Sequence, residues 1–156
     1  MVRLKIGVIG LGKLGLPLAV LFAEKFEVYA VDINKNRINQ IMNQKKFFEP
    51  QLNEYLSRNT AKMQFSTDYS ILKECEVVFI IVQTPSLQNN KFDLKYVKSA
   101  VQKLHEINPY CLCVVSSTIN IGDMEKLRQI HPRIAYNPEF IKQGSIIYCL
   151  LYTSPS

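Results

Sequence analysis

The sequence predicts an α/β fold in which a mostly parallel sheet carries helices on both faces. Segments with a strand pattern alternate with segments of helical period along the whole chain, as they do in parallel sheets with crossover helices. The clearest strand, residues 77–82, is a continuous run of mostly β-branched apolar residues, which is typical of a strand buried on both faces. With 156 residues, 47% of them hydrophobic, the chain is long enough for one domain with a substantial core.

The first predicted strand, residues 6–9, ends in the pattern Gly10-x-Gly12-x-x-Gly15 and leads directly into a helix predicted over residues 16–26. Gly10 allows a tight turn out of the strand, Gly12 lets the backbone approach a pyrophosphate, and Gly15 lets the helix pack closely against the strand. The phosphates would lie at the helix N-terminus, where free N–H groups and the helix dipole favour an anion. The pattern therefore predicts a dinucleotide site in a doubly wound sheet of the Rossmann type.

A carboxylate ends the second predicted strand, which covers residues 27–32. Asp32 follows the glycine pattern at the separation at which an acid accepts hydrogen bonds from the ribose diol of an adenosine. The same residue could instead, or in addition, cap the helix predicted over residues 34–44. Its charge also repels a 2′-phosphate and so favours NAD over NADP, whereas the guanidinium of Arg37 could accept that phosphate.

The remaining elements continue the alternation. Strands are predicted over residues 63–66, 111–115 and 133–136, and helices over residues 51–58, 67–73, 94–107 and 122–130. The segments that follow the strands are glycine-rich or polar: residues 10–15, 32, 83–86, 116–118 and 137–140. Because ligands bind beyond the carboxyl ends of the strands in open parallel sheets, we expect a cofactor at this edge.

Composition limits the kinds of partner. The net charge of +6 comes from scattered Lys and Arg residues that form no basic stripe, which indicates a solvated surface rather than nucleic-acid binding. The longest apolar run, residues 77–82, is too short to span a bilayer, and the first strand begins too early to leave room for a signal peptide. These features predict a cytoplasmic protein that binds neither nucleic acid nor a membrane.

The four cysteines, Cys75, Cys111, Cys113 and Cys149, do not have the spacing of metal ligands, so no metal site is predicted. Cys111 and Cys113 are two residues apart in a predicted strand and therefore face the same side of the sheet. We expect both to be small core residues without a disulfide, because the predicted compartment is reducing.

Six segments of the chain carry a resemblance to a known family. They are residues 8–17, 31–38 and 48–52, the sequence Gln83-Thr84-Pro85, the pair Ser117-Thr118 and residues 137–145. Their order and spacing resemble those of the nucleotide-sugar 6-dehydrogenases, most closely the members that oxidise UDP-glucose. The glycine pattern is widely shared, but the last three segments together are specific, and the resemblance covers residues 3 to about 148.

This resemblance implies two successive NAD-dependent oxidations of the C6 alcohol of a UDP-sugar, as in the conversion of UDP-glucose to UDP-glucuronate, with a cysteine thioester between them. By this likeness Glu139 is the base for thioester hydrolysis, and Thr118 helps to hold the water or the sugar oxygen. The implied cofactor contacts are Gly10, Gly12, Lys13, Leu14, Gly15, Asp32, Arg37, Thr84, Pro85 and Thr118.

Other interpretations of these residues stay open at this point. Thr118 could be a strand-end hydroxyl that bonds loop backbone, and Glu139 a carboxylate favoured by a helix start. Lys35 and Arg37 could be solvated helix charges. The alternatives for the whole chain are a dehydrogenase of UDP-N-acetylhexosamines, another β-hydroxyacid-type dehydrogenase, and a non-catalytic NAD-binding module.

The chain also departs from the family. Gln143 stands where the family often has Glu, and none of the four cysteines has the glycine-rich context of the family's nucleophile, which lies further along together with an active-site lysine. We therefore expect residues 1–148 to be the N-terminal NAD-binding part of an enzyme that is a homo-oligomer when complete, and to be inactive alone. Residues 149–156 resemble a translated sequencing adapter, although a short strand with a Ser/Pro-rich end is the other interpretation.

Overall fold

The computed structural model describes residues 3–139 and 145–152. The strands of these residues are β1 (Lys5–Ile9), β2 (Glu27–Val31), β3 (Met63–Ser66), β4 (Val77–Ile80), β5 (Leu112–Val115) and β6 (Ile134–Tyr136). The helices are α1 (Gly15–Phe22), α2 (Lys35–Met42), α3 (Pro50–Asn59), α4 (Lys95–Ile107), α5 (Asp123–Ile130) and α6 (Ile146–Tyr152). Each strand predicted from the sequence is therefore present.

The six strands pair in parallel in the order β3-β2-β1-β4-β5-β6. This is the order of the Rossmann fold, in which the chain builds outward from β1 in one direction and then crosses over to build in the other. The crossover places a crevice between the carboxyl ends of β1 and β4, where such sheets bind their ligands. The predicted fold class is confirmed.

Successive strand residues point into two separate cores, one on each face of the sheet. Ile9 and Val31 belong to a core that includes residues of α4 and α5, whereas Val8 and Ala30 belong to a core that includes residues of α1, α2, α3 and α6. This alternation follows from the two-residue period of a strand. Burial on both faces explains why β1 and β4 are almost continuously apolar.

Three predicted helices are clearly shorter in the structure. One is α2, which covers Lys35–Met42 rather than residues 34–44. Helix α1 ends at Phe22 rather than residue 26, because residues 23–25 form a turn in which the N–H of Phe26 still bonds to the carbonyl of Phe22 at 2.9 Å. The helix predicted over residues 67–73 is a single 3₁₀ turn, Tyr69–Leu72, whose first turn is held by the Asp68 carboxylate at 2.9 Å from the Ser70 N–H. The spacing of apolar residues over so short a segment does not distinguish a 3₁₀ turn from an α-helix.

Cys111 and Cys113 lie in the same buried core, as predicted, and the described cysteines are free thiols. None of the helices in the described ranges has the length and apolar character needed to cross a membrane.

Helix α6 buries Ile146 and Ile147 and continues through Tyr152. The short strand considered for residues 149–156 is therefore wrong for residues 149–152, which are helical. The adapter origin of residues 149–156 stays a prediction.

Candidate cofactor-binding site

A cleft of about 430 Å³ opens at the carboxyl ends of β1, β2 and β4. Four of the predicted cofactor residues line it, namely Gly10, Gly12, Asp32 and Arg37. The cleft coincides with the crossover point of the sheet. The sheet topology and the position of the cavity therefore indicate the same ligand-binding site.

The glycine turn leaves no room for side chains at its two ends. Gly10 has a φ of 96°, and a Cβ atom on it would lie 2.1 Å from the carbonyl oxygen of Ile81. A Cβ atom on Gly15 would lie 1.7 Å from the carbonyl oxygen of Gly10, so only glycine lets α1 pack against the turn. Gly12 differs, because no atom lies within 4 Å of the same position and its side of the turn is open. The roles predicted for Gly10 and Gly15 agree with this geometry.

Helix α1, all of which is described, begins at Gly15 without a side-chain cap and without an acidic residue in its first turn. Its N-cap, Leu14, has a helical backbone, and the first helical bonds run from Leu16 N–H to Gly12 O at 3.3 Å and from Leu18 N–H to Leu14 O at 3.1 Å. The positive end of the α1 dipole therefore meets no acidic residue in its own first turn, which suits a phosphate site.

Asp32 joins the glycine turn to the loop after β2. Its Oδ2 accepts the N–H of Leu11 and its Oδ1 accepts the N–H of Asn34, both at 2.8 Å. A carboxylate offers about four acceptor positions, so acceptor capacity remains for the hydroxyls of a ribose. The helix-capping role considered for Asp32 belongs instead to Asn34, whose Oδ1 accepts the N–H groups of Asn36 and Arg37.

Arg37 is not a plain solvated charge. Its Nε donates to the carbonyl oxygen of Leu11 at 2.6 Å, and its guanidinium carbon lies 4.7 Å from the centre of the Phe47 ring. Burial lowers the pKa of Arg37, and the carboxylate of Asp32 opposes that effect. Both polar groups of the Leu11 backbone are therefore hydrogen-bonded by side chains: its N–H by Asp32 and its carbonyl oxygen by Arg37. Lys35, by contrast, is exposed.

The other predicted contacts lie outside the lining of the cleft. Lys13, Pro85 and Thr118 are exposed, whereas Leu14 and Thr84 are half-buried. They nevertheless belong to segments at the same edge of the sheet, because each follows a strand of the parallel array. The structure therefore brings Gly10, Gly12, Asp32 and Arg37 together in one cavity and places the rest around it.

Ser117 makes the backbone bond that one interpretation gave to Thr118. The Ser117 hydroxyl accepts the N–H of Val82 at 2.9 Å and donates to the carbonyl of Val82 at 2.8 Å, which ties the end of β5 to the end of β4. Thr118 is exposed beside it. The hydroxyl of Thr118 is thus available for a role toward a ligand.

Glu139 follows β6 and is half-buried. Its Oε1 accepts a hydrogen bond from the Asn137 amide at 3.1 Å, while the Asn137 N–H bonds to Val115 O at 2.9 Å. Strand β5 thereby positions Asn137, and Asn137 orients the carboxylate. Gln143 lies outside the described residues.

The sequence analysis did not identify the wall of the cleft that faces Asp32. Tyr96, Ser99 and Lys103 line the cleft from α4, and Tyr69 lines it from the 3₁₀ turn after β3. Burial raises the pKa of Tyr69 to about 12, and the charge of Asp32 adds to this, so the phenol keeps its proton. The sequence does contain a sign of this wall, because the three α4 residues have the spacing i, i+3, i+7 and so lie on one face of the helix.

Within the described residues no group of three or more His, Cys, Asp or Glu side chains could hold a metal ion. This site combines the dipole of a helix, an open glycine turn and an anchored carboxylate. Sites that bind phosphate-bearing ligands such as dinucleotides have these features. The fold and this site together define a dinucleotide-binding domain of the Rossmann class.

Comparison with known proteins makes the class specific. Residues 4–154 match the model of the NAD binding domain of the UDP-glucose/GDP-mannose dehydrogenase family, and the chain belongs to this family. Its cofactor is accordingly NAD.

Individual relatives agree with the family. The UDP-glucose 6-dehydrogenase of Streptococcus pneumoniae is 31% identical over 157 residues, an alignment that covers 97% of this chain and 40% of that protein. A solved UDP-D-ManNAc dehydrogenase from Pyrococcus horikoshii superposes with a TM-score of 0.86 at 29% identity, covering 94% of this chain and 39% of that one. A solved UDP-glucose dehydrogenase from Pyrobaculum islandicum gives a TM-score of 0.85 at 25% identity, covering 96% and 39%. The chain thus spans about two fifths of the length of these relatives.

Proposed function

We propose that this chain is the NAD-binding part of a UDP-sugar 6-dehydrogenase that converts UDP-glucose to UDP-glucuronate. The observation that carries the cofactor role is the Asp32 carboxylate, anchored at 2.8 Å to Leu11 N–H beside the uncapped start of α1. The choice of sugar is supported by UDP-glucose 6-dehydrogenase relatives such as that of S. pneumoniae. Bound NAD supplies the hydride acceptor for the sugar carbon.

Different residues of the cleft contact different parts of the cofactor. The open side of Gly12 and the N-terminus of α1 receive the pyrophosphate, and Asp32 accepts from the adenosine ribose. The wall made by Tyr96, Ser99 and Lys103 of α4 borders the adenosine end, because it lines the same cavity as Asp32. Thr84, Pro85 and Thr118 follow β4 and β5, on the other side of β1 from Asp32, and border the nicotinamide half.

Glu139 and Thr118 are the catalytic residues of the proposal. A carboxylate that activates water must be oriented, and the Asn137 amide holds one oxygen of Glu139. Thr118 is an exposed residue that follows the neighbouring strand β5, and its hydroxyl holds the water or the sugar oxygen. The two side chains follow adjacent strands, which is consistent with a shared site.

The buried thiols of the chain are unsuited to be the nucleophile. Burial raises the pKa of Cys75 to about 12 and that of Cys111 to about 11, and it raises the pKa of Cys113 as well. A thiol that keeps its proton at neutral pH does not attack an aldehyde effectively, because the thiolate is the reactive form. The proposal therefore places the nucleophilic cysteine in a part of the enzyme other than these core positions.

Two measurements test the proposed function. Calorimetry with the purified chain should detect NAD binding, and Asp32→Ala should weaken it at least tenfold; no binding by the unsubstituted chain would overturn the cofactor role. Sequencing the source DNA beyond codon 148 should reveal a glycine-flanked cysteine. The complete enzyme should then reduce NAD faster with UDP-glucose than with UDP-N-acetylmannosamine or GDP-mannose.

A second candidate substrate is UDP-N-acetylmannosamine. The observation in its favour is the superposition on the P. horikoshii UDP-D-ManNAc dehydrogenase, which is 29% identical to this chain. Faster reduction of NAD with UDP-N-acetylmannosamine in the same assay would select it.

A further inference from the structure

The loop between α2 and α3 contains a phenylalanine whose backbone is held by one side chain. The Asn53 carboxamide accepts the N–H of Phe47 at 2.8 Å and donates to the carbonyl of Phe47 at 2.9 Å. Both polar groups of this residue are thus paired, much as a neighbouring strand would pair them. The position of Phe47 is therefore defined by α3, six residues further along the chain.

The Phe47 ring in turn supports Arg37. The guanidinium carbon lies 4.7 Å from the ring centre, within the range of a cation–π contact. Phe47 is half-buried, so the ring is shielded from water on part of its surface. Stacking on one face of the guanidinium limits its rotamers and favours the orientation in which Nε donates to Leu11 O.

The bond from Arg37 orients a peptide group of the glycine turn. The carbonyl of Leu11 and the N–H of Gly12 belong to the same planar trans peptide, so they point in opposite directions. Fixing Leu11 O at 2.6 Å from the Arg37 Nε therefore fixes the direction of the Gly12 N–H. Asp32 holds the preceding peptide through the Leu11 N–H, so consecutive peptides of the turn are fixed by side chains.

We infer that Phe47 is a positioning residue for the dinucleotide turn, and that it acts through Arg37 on the peptide between Leu11 and Gly12. The inference rests on the proposed function, since the ligand of this turn is the pyrophosphate of the cofactor. Asn53 shares the role because it holds Phe47 in place. A turn whose N–H groups are already oriented binds its ligand with less loss of conformational freedom.

The first test is NAD affinity measured by calorimetry. Phe47→Leu removes the ring but keeps apolar bulk, and it should weaken NAD binding about three- to tenfold. Phe47→Tyr keeps the ring and should stay within about twofold of the unsubstituted chain. The matched control is Phe48→Leu, because Phe48 is the adjacent phenylalanine and is 95% exposed; its NAD affinity should also stay within about twofold.

A double-mutant cycle separates positioning from a general packing effect. In an Arg37→Met background, Phe47→Leu should change NAD affinity by less than about twofold, because the residue through which it acts is gone. Urea midpoints of all variants show whether the fold is retained. Should Phe47→Leu fail to fold, Asn53→Asp, which cannot donate to the Phe47 carbonyl, should weaken NAD binding about two- to fivefold.

Three outcomes overturn the inference. Equal NAD affinity in Phe47→Leu and the unsubstituted chain does so, as does an undiminished effect of Phe47→Leu in the Arg37→Met background. Both leave the proposed function intact, because the unsubstituted chain still binds NAD. Failure of the unsubstituted chain to bind NAD overturns the proposed function and, with it, this inference.

Discussion

Asp32 and Arg37 connect the glycine turn to the cleft. Each bonds to the backbone of Leu11, at 2.8 Å and 2.6 Å, and each also faces the cleft. Their opposite charges lie on the same turn, so cofactor selectivity depends on which charge the 2′ position of the adenosine meets. The Nε of Arg37 donates to Leu11 O and its guanidinium lies against Phe47, so we expect the Asp32 carboxylate to be the group that determines selectivity.

NAD should therefore bind more tightly than NADP, by at least about tenfold, because a 2′-phosphate would approach the Asp32 carboxylate. Titration of both cofactors into the purified chain by calorimetry measures the ratio. Asp32→Asn keeps the shape of the side chain but removes its charge, so it should reduce the ratio of the NAD affinity to the NADP affinity. Equal or tighter NADP binding by the unsubstituted chain would contradict the assignment.

Two glycines of the turn should respond differently to alanine. A Cβ atom on Gly15 meets the backbone oxygen of Gly10 at 1.7 Å, so Gly15→Ala should lower the free energy of unfolding by roughly 2 kcal/mol or more. Gly12 has open space at the same position, so Gly12→Ala should be close to neutral for stability while weakening NAD binding. Urea denaturation and calorimetry report the two effects, and a Gly15→Ala chain of unchanged midpoint would refute this packing argument.

At the scale of elements, a histidine pair joins α4 to the end of α5. His131 follows α5 and is fully buried, with Nε2 at 2.8 Å from Cys111 O and Nδ1 at 3.2 Å from the Nδ1 of His105. A carbonyl only accepts, so Nε2 of His131 carries the proton and its Nδ1 accepts from His105. Burial lowers the pKa of His131, and the nearby His105 and Arg133 lower it further, against the raising effect of the Cys111 carbonyl.

The neutral His131 should make stability depend on pH. The unfolded chain protonates this residue near pH 6.5 while the folded chain keeps it neutral to a lower pH, so the unfolded state binds more protons in between. The stabilisation is present above about pH 6.5 and is lost as the pH falls toward the lowered pKa.

The free energy of unfolding, measured in urea, should be lower at pH 5 than at pH 7 for the unsubstituted chain. The difference should be smaller for His131→Gln, because the Gln amide can still donate to Cys111 O. Carboxylates with lowered pKa values, such as Glu24, titrate below this window. An equal pH dependence in His131→Gln and the unsubstituted chain would rule out the buried histidine as its source.

At the scale of the whole molecule, the described residues form a six-stranded sheet with a core on each face, and the chain spans about 40% of the S. pneumoniae relative. The groups proposed to bind the cofactor, namely the glycine turn, Asp32 and the wall from α4, all lie among the described residues. Oxidation through a thioester requires an ionisable thiol held beside the substrate, and the thiols of the sheet are buried in its core.

The chain should therefore bind NAD and fail to oxidise UDP-glucose. Without a thiol held beside the substrate, the step lacks the orientation that makes it effectively intramolecular, which is worth about 7–11 kcal/mol at best. Incubation of the purified chain with NAD and UDP-glucose, followed by NADH absorbance, measures this directly. Steady turnover that disappears in Glu139→Gln would contradict the expectation.

What the sequence determined by itself was local and periodic. The glycine pattern specifies its own turn because Gly10 needs a positive φ and Gly15 needs the space of a missing Cβ. The apolar runs specify β1 and β4 as buried strands, and the alternation of strands with helices specifies a parallel sheet. Asp32 was identifiable as well, because its separation from the turn is a property of the motif.

Only the tertiary structure decided which side chains form the rest of the site. Tyr96, Ser99 and Lys103 have the spacing of any polar helix face, and the direction of that face depends on how α4 packs against the sheet. Likewise, the bonds from Arg37 to Leu11 and from Asn53 to Phe47 join groups whose approach depends on the packing of α2 and α3. Contacts between separate elements are not encoded in local periodicity, because they depend on how the elements pack against one another.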